Sequence, residues 1–63
     1  MDQESRMSLA MRYVQERGSI SNNEYRTLTG VSDNTALRDL ELLVTQGVLR
    51  RVGKTRARRY KLP

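Results

Sequence analysis

Ser32, Asn34, Thr35 and Arg38 bring hydrogen-bonding side chains together in one short stretch. On a helix, Asn34 and Arg38 are four apart and share a face. That face would offer an amide, a guanidinium and, beside them, the hydroxyl and methyl of Thr35. These groups match the edges of nucleic-acid bases. Arg pairs bidentately with guanine, Asn with adenine, and Thr contributes a hydroxyl or a methyl contact. Ser32 is an N-cap residue type, and a helix start presents free backbone donors that can hold a phosphate. A second group follows: Arg50, Arg51, Lys54, Arg56, Arg58, Arg59 and Lys61, with no acid among them. Within it Arg51, Lys54, Arg56, Arg58 and Arg59 are the candidates for phosphate oxygens.

The charge is distributed unevenly along the 63 residues. The net value is +5, from 12 Lys and Arg against 7 Asp and Glu. All the acids precede Arg50, so the chain up to Leu49 sums to −2 and the remainder to +7. A mixed-charge body with a purely basic end is the electrostatic footprint of a polyanion partner. Charge alone leaves a plain solvated basic end equally open. An anionic membrane surface is disfavoured, because the apolar residues of the tail form no helical stripe.

Composition removes other classes. There are 0 Cys and 0 His. No disulfide scaffold, thiolate or imidazole metal site, or Ser-His or Cys-His catalytic arrangement can be built, and no cofactor site is evident. No apolar run approaches the roughly 18 residues of a membrane span. The start, Met1-Asp2-Gln3-Glu4, lacks the basic-then-apolar pattern of a secretory signal. A cytoplasmic location is the expectation. Length sets the expectation of one domain over residues 1–63, with a small core and marginal stability.

The elements that must position the candidate residues are three helices and a hairpin. Met7, Ala10, Met11 and Val14 fall at helical spacing, which predicts a first helix over about 6–17, capped by Ser5 and stopped by Gly18. Ile20 is the inward residue of a short extended link and a candidate third strand. Ser21 and Glu24 have capping-box spacing, so a second helix is predicted over about 22–29, with Tyr25 and Leu28 inward and Gly30 as its stop. After the turn Gly30-Val31-Ser32, a third helix is expected over about 33–46. Ala36, Leu40, Leu43 and Val44 form its inner face, with Leu37 at the edge. Asn34, Thr35, Arg38, Leu42 and Thr45 then point outward. From Val48 to Leu62 the helical period is lost, and a β-hairpin is predicted with Tyr60 and Leu62 on one face. The three tyrosines are spaced as core residues, and Asp39 suits a structural ion pair better than recognition.

Two short helices joined by a tight Gly-containing turn make a helix-turn-helix, whose second helix enters the DNA major groove. Here that second helix is 33–46, and the basic hairpin becomes a wing on the phosphate backbone. The predicted class is therefore α+β, a winged helix-turn-helix of three helices with a small antiparallel hairpin. Its implied partner is double-stranded DNA.

The stretch Val31-Ser32-Asp33-Asn34-Thr35-Ala36-Leu37-Arg38-Asp39-Leu40, continuing through Leu43 to Gly47-Val48-Leu49, resembles the winged-helix region of DeoR-type bacterial regulators. With Asn23-Glu24-Tyr25-Arg26 and Arg51-Val52-Gly53-Lys54, it is similar to the C-terminal modules of RecG-like, ATP-dependent DNA helicase-related transcriptional regulators. The resemblance covers about 20–62. It implies a DNA-binding, transcription-related role and a larger parent chain. Two positions depart from it: Leu37 stands where Arg is frequent, and Leu42 where a polar residue is usual. Leu42 would meet water, a partner domain or a second copy.

Other classes stay in view. A winged helix can be a protein-interaction module appended to a nucleotide-dependent enzyme. Single-strand or RNA binding lacks an exposed aromatic platform here. Gly47…Gly53-Lys54-Thr55 imitates a phosphate loop, but five residues separate the glycines where four are required. With no paired carboxylates in a cleft, the chain reads as a binding unit rather than a catalyst.

Overall fold

The computed structural model describes residues 1–63. The first helix, α1, runs over Gln3–Arg17. It starts three residues before the predicted Arg6, because Asp2 and not Ser5 is the cap: the Asp2 carboxylate accepts the Ser5 N–H at 2.8 Å. A carboxylate also complements the positive end of the helix dipole, which a serine does not. Gly18, at φ +95°, closes α1 by donating to the Val14 carbonyl at 2.7 Å. The strand β1, Ser19–Ile20, follows directly.

Helix α2 covers Asn22–Thr29, and its capping box is complete. The Ser21 hydroxyl accepts the Glu24 N–H at 3.1 Å, and the Glu24 carboxylate accepts the Ser21 N–H at 3.0 Å. Gly30 then turns left-handed, and Ser32 caps helix α3, Asp33–Thr45. Gln46, expected as the last helical residue, is the C-cap.

The wing is smaller than a hairpin over 48–62. Strand β2 is Arg50–Val52 and strand β3 is Arg59–Lys61, separated by a short 3-10 turn at Thr55–Ala57. The sheet order is β1-β3-β2, antiparallel throughout, with Tyr60 opposite both Ile20 and Arg51. Ile20 thus supplies the third strand, as expected. Leu62 does not share the inward face of Tyr60: β3 ends before it, and it is exposed.

Ala10, Val14, Ile20, Tyr25, Ala36, Leu40, Leu43, Leu49 and Tyr60 form the core, with Met7, Met11, Tyr13, Leu28, Val31 and Val44 packed at its margin. Asp39 is also wholly buried. Its carboxylate accepts from Arg6 Nε at 2.7 Å, from the Tyr25 hydroxyl at 2.6 Å and from Gln3 Nε2 at 2.9 Å. One carboxylate thereby joins α1, α2 and α3. The buried stripe of α3 thus includes Asp39 beside Ala36, Leu40 and Leu43. Leu37, expected at the edge of the inner face, is exposed, whereas Leu42, expected outward, is half-buried and lines a groove with α1. Thr35 is half-buried as well.

Gly53 is the one wing position where a side chain cannot be accommodated. Its φ is +80°, and a Cβ there would lie 2.7 Å from the Ala57 carbonyl oxygen. Gly53→Ala is expected to cost about 1–3 kcal/mol of local strain. The measurement is a lowered melting temperature together with faster amide exchange in Arg50–Val52 and Arg59–Lys61 than in the helices.

Candidate nucleic-acid interface

The turn between α2 and α3 sets the direction of α3, and two ion pairs set the wing against it. Glu41, on the middle of α3, accepts from Arg51 through Nε at 2.8 and 3.1 Å and through Nη2, and from the Tyr60 hydroxyl at 2.8 Å. Glu24, beside the start of α2, accepts from Arg59 Nη2 at 2.6 Å, and Arg59 Nε also reaches the Ser19 hydroxyl at 2.7 Å. Each strand of the hairpin is thereby tied to a helix of the helix-turn-helix.

Between these ties lies a groove of about 700 Å³. The N-terminal part of α3 contributes Asp33 and Leu37, α2 contributes Asn22, Asn23 and Arg26, and the wing contributes Arg56, Arg58 and Arg59. Four guanidinium groups therefore surround one carboxylate. The low-dielectric walls of such a cleft focus the field of its charges.

The predicted residues separate into three sets. Asn34 and Arg38 are exposed on the outer face of α3, one step around the helix from the groove wall, and Arg38 makes no ion pair. Ser32 and Thr35 are joined to each other: the Ser32 hydroxyl accepts the Thr35 N–H at 3.3 Å and lies 3.2 Å from the Thr35 hydroxyl. They shape the start of α3. In the wing, Arg56 lines the groove and, like the exposed Lys54, has no protein partner, while Arg58 Nε donates to the Gly53 carbonyl at 3.3 Å. Arg51 and Arg59 are held by Glu41 and Glu24.

Asn22, Asn23 and Arg26 were missed at the sequence level. Their signal was present: Asn22 and Arg26 are four apart on α2, and Arg26 Nε donates to the Asn22 amide oxygen at 2.9 Å. Leu37, expected at the edge of the inner face of α3, is exposed and lines the groove. Asp39 makes the structural ion pair expected of it, with Arg6 of α1.

The carboxylates of these ties titrate below their ordinary range. Burial works against the charge of Asp39 and of Glu24, but donors outweigh it: Arg6, Tyr25 and Gln3 for Asp39, the Ser21 backbone and Arg59 for Glu24. For Glu41 the Arg51 hydrogen bonds are the leading cause. Tyr60 moves the other way, pushed up from 10.0 to about 12 by burial and then by Glu41. A depressed carboxylate pKa gives stability that is complete above the ordinary value, 3.8 for Asp39 and 4.5 for the glutamates, and is lost as pH falls through the folded-state value. A raised tyrosine pKa gives stability lost as pH rises from 10 toward 12. The melting temperature is expected to be flat between about pH 5 and about pH 9 and to fall on both sides. Scanning calorimetry across that range checks it; a maximum inside the acid limb, below pH 4, would contradict the assignment.

Three helices, a β1-β3-β2 antiparallel sheet and a basic wing facing the N-terminal half of α3 define a winged helix-turn-helix domain of the transcriptional-regulator kind. The family described as "Transcriptional regulator DIP2311-like, C-terminal domain" matches residues 1–63, and the chain belongs to it. The crystal structure of the DIP2311 protein from Corynebacterium diphtheriae is similar, with 32% identity and a TM-score of 0.92. That match covers 98% of this chain and 11% of that one. A MarR family protein from Bacillus stearothermophilus shares the fold, with 17% identity and a TM-score of 0.77 over 94% of this chain and 41% of that one. The chain spans about a tenth of the length of the first and less than half of the second. No curated protein matches it. No helix is long and apolar enough to cross a membrane, and no cluster of three His, Cys, Asp or Glu is placed to hold a metal.

Proposed function

We propose that residues 1–63 form one DNA-binding unit of a longer bacterial regulator, in which α3 lies in the major groove and the wing lies along the phosphate backbone. The observation that carries this reading is the cationic groove shared by α3 and the wing. Asn34 and Arg38 are the base readers, and Ser32 and Thr35 present the start of α3 to a phosphate. Lys54, Arg56 and Arg58 are the wing contacts. Arg51 and Arg59 add to the field while orienting the wing. The likeness of the α3 segment to DeoR-type and RecG-like regulators supports a parent in which a nucleotide-dependent body carries this module. The module itself binds rather than catalyses, in the cytoplasm where the DNA is.

The test compares two single variants on duplex DNA. Arg38→Ala is expected to weaken binding to a selected duplex by about 1–3 kcal/mol and binding to random duplex much less. Arg56→Ala is expected to weaken both alike. Equal effects of Arg38→Ala on the two duplexes would remove it from the readers, and absence of any duplex binding by the parent sequence would overturn the proposal.

One observation favours a second reading. A partly apolar groove between α1 and the end of α3, lined by Met7, Met11, Leu42, Leu43 and Val48, faces away from α2 and the wing. As an interaction module, the chain would pack this face on the rest of its own longer polypeptide. The same duplex assay separates the readings, since a pure interaction module retards no DNA.

A further inference from the structure

Leu37 is 49% exposed in the N-terminal half of α3, while Leu40 and Leu43 of the same helix are buried and Leu42 is half-buried. Single exposed leucines are ordinary on protein surfaces. This one stands in an unusual place. It lines the cationic groove with Arg56 and Arg58, and it lies three residues from Asn34, hence beside it on the helix. It therefore sits between the outer face of α3 and the wing, among polar and charged groups, and the other apolar residue lining the groove, Tyr60, is itself buried.

The major groove of DNA offers donors and acceptors from every base, but only one apolar group, the 5-methyl of thymine. A leucine has no hydrogen bond to give or accept. Placed against any other base edge it would strand a polar atom; placed against a thymine methyl it removes apolar surface from water on both sides. Resting on the DNA-binding reading above, we infer that Leu37 is a specificity-determining residue that selects thymine by its methyl group, at a base pair next to the one read by Asn34.

The experiment starts from duplexes selected by the 63-residue chain out of a random pool. Each thymine in the selected sequence is then replaced, one at a time, by deoxyuridine, which keeps every hydrogen-bonding group and lacks only the methyl. At one position the replacement is expected to weaken binding about fourfold, the equivalent of one methyl group returned to water. In Leu37→Ala the thymine and uracil duplexes should bind alike, whatever their absolute affinity. Leu37→Met, equally apolar and of similar volume, should keep the difference. Duplex binding that is indifferent to uracil at every position overturns the role of Leu37 and leaves the DNA-binding reading intact. So does a uracil effect that persists in Leu37→Ala. Failure of the chain to bind any duplex overturns both.

Discussion

Asp39→Ala is expected to lower the stability of the domain by about 3–5 kcal/mol, the typical effect of removing one partner from a buried ion pair. The side chain is wholly inaccessible, and its ion-pair partner Arg6 is only 15% exposed. Without the carboxylate, Arg6 keeps a charge at the margin of the core, and the Tyr25 hydroxyl loses the acceptor at 2.6 Å. For a domain of this size each kcal/mol shifts the melting temperature by roughly 4–8 °C. Circular dichroism should therefore show a melt at least ten or so degrees lower, or no cooperative melt at all. Replacing Asp39, Arg6 and Tyr25 together with Leu, Met and Phe should recover most of the loss, because no charge or donor is then left without a partner. A single Asp39→Ala variant that melts within a couple of degrees of the parent would show that the network contributes little.

Duplex affinity is expected to fall about a hundredfold between roughly 50 and 200 mM monovalent salt. Arg26, Lys54, Arg56 and Arg58 have no carboxylate partner in the structure and are placed to meet phosphates, while Arg38 is left out as a base reader. Four neutralised phosphates give a slope of about −3.6 in log K against log salt, at about −0.9 for each. Arg51 and Arg59 are not counted, since Glu41 and Glu24 already balance them. A slope near −5.5 would mean that both pairs open on binding. A slope near zero with the domain folded would mean that the basic wing meets no DNA backbone.

Much of the architecture was legible because it is written in local signals. Ser21 with Glu24, and Gly30 just beyond, bound α2 without reference to anything distant. Gly18 did the same for the end of α1. The start of α1 was less legible, because Asp2 and Ser5 are both good caps and only the longer helix lets Arg6 and Gln3 reach Asp39. That contact spans 33 residues of sequence for Arg6, beyond any local window. The same blindness explains Leu37 and Leu42. Apolar periodicity counts leucines, and it cannot anticipate that an aspartate shares the inner face. The wing shows the limit for charge. A run of cations predicts a field, but the pairing of Arg51 with Glu41 and of Arg59 with Glu24 depends on how the sheet folds over the helices. Base-edge candidates such as Asn34 and Arg38 were readable because they need only exposure and the right helix.

The two carboxylate ties between wing and helices have a mechanical meaning. The span between α3 and the hairpin is biased toward one opening in the free molecule, in the manner of a calliper with a stiff hinge. Such a gauge has little ordering entropy left to lose on docking. By the same token it resists adapting. A duplex whose grooves depart from that preset width must itself deform to be gripped, so the stiffness of the DNA enters the choice of address even at base pairs that no side chain touches.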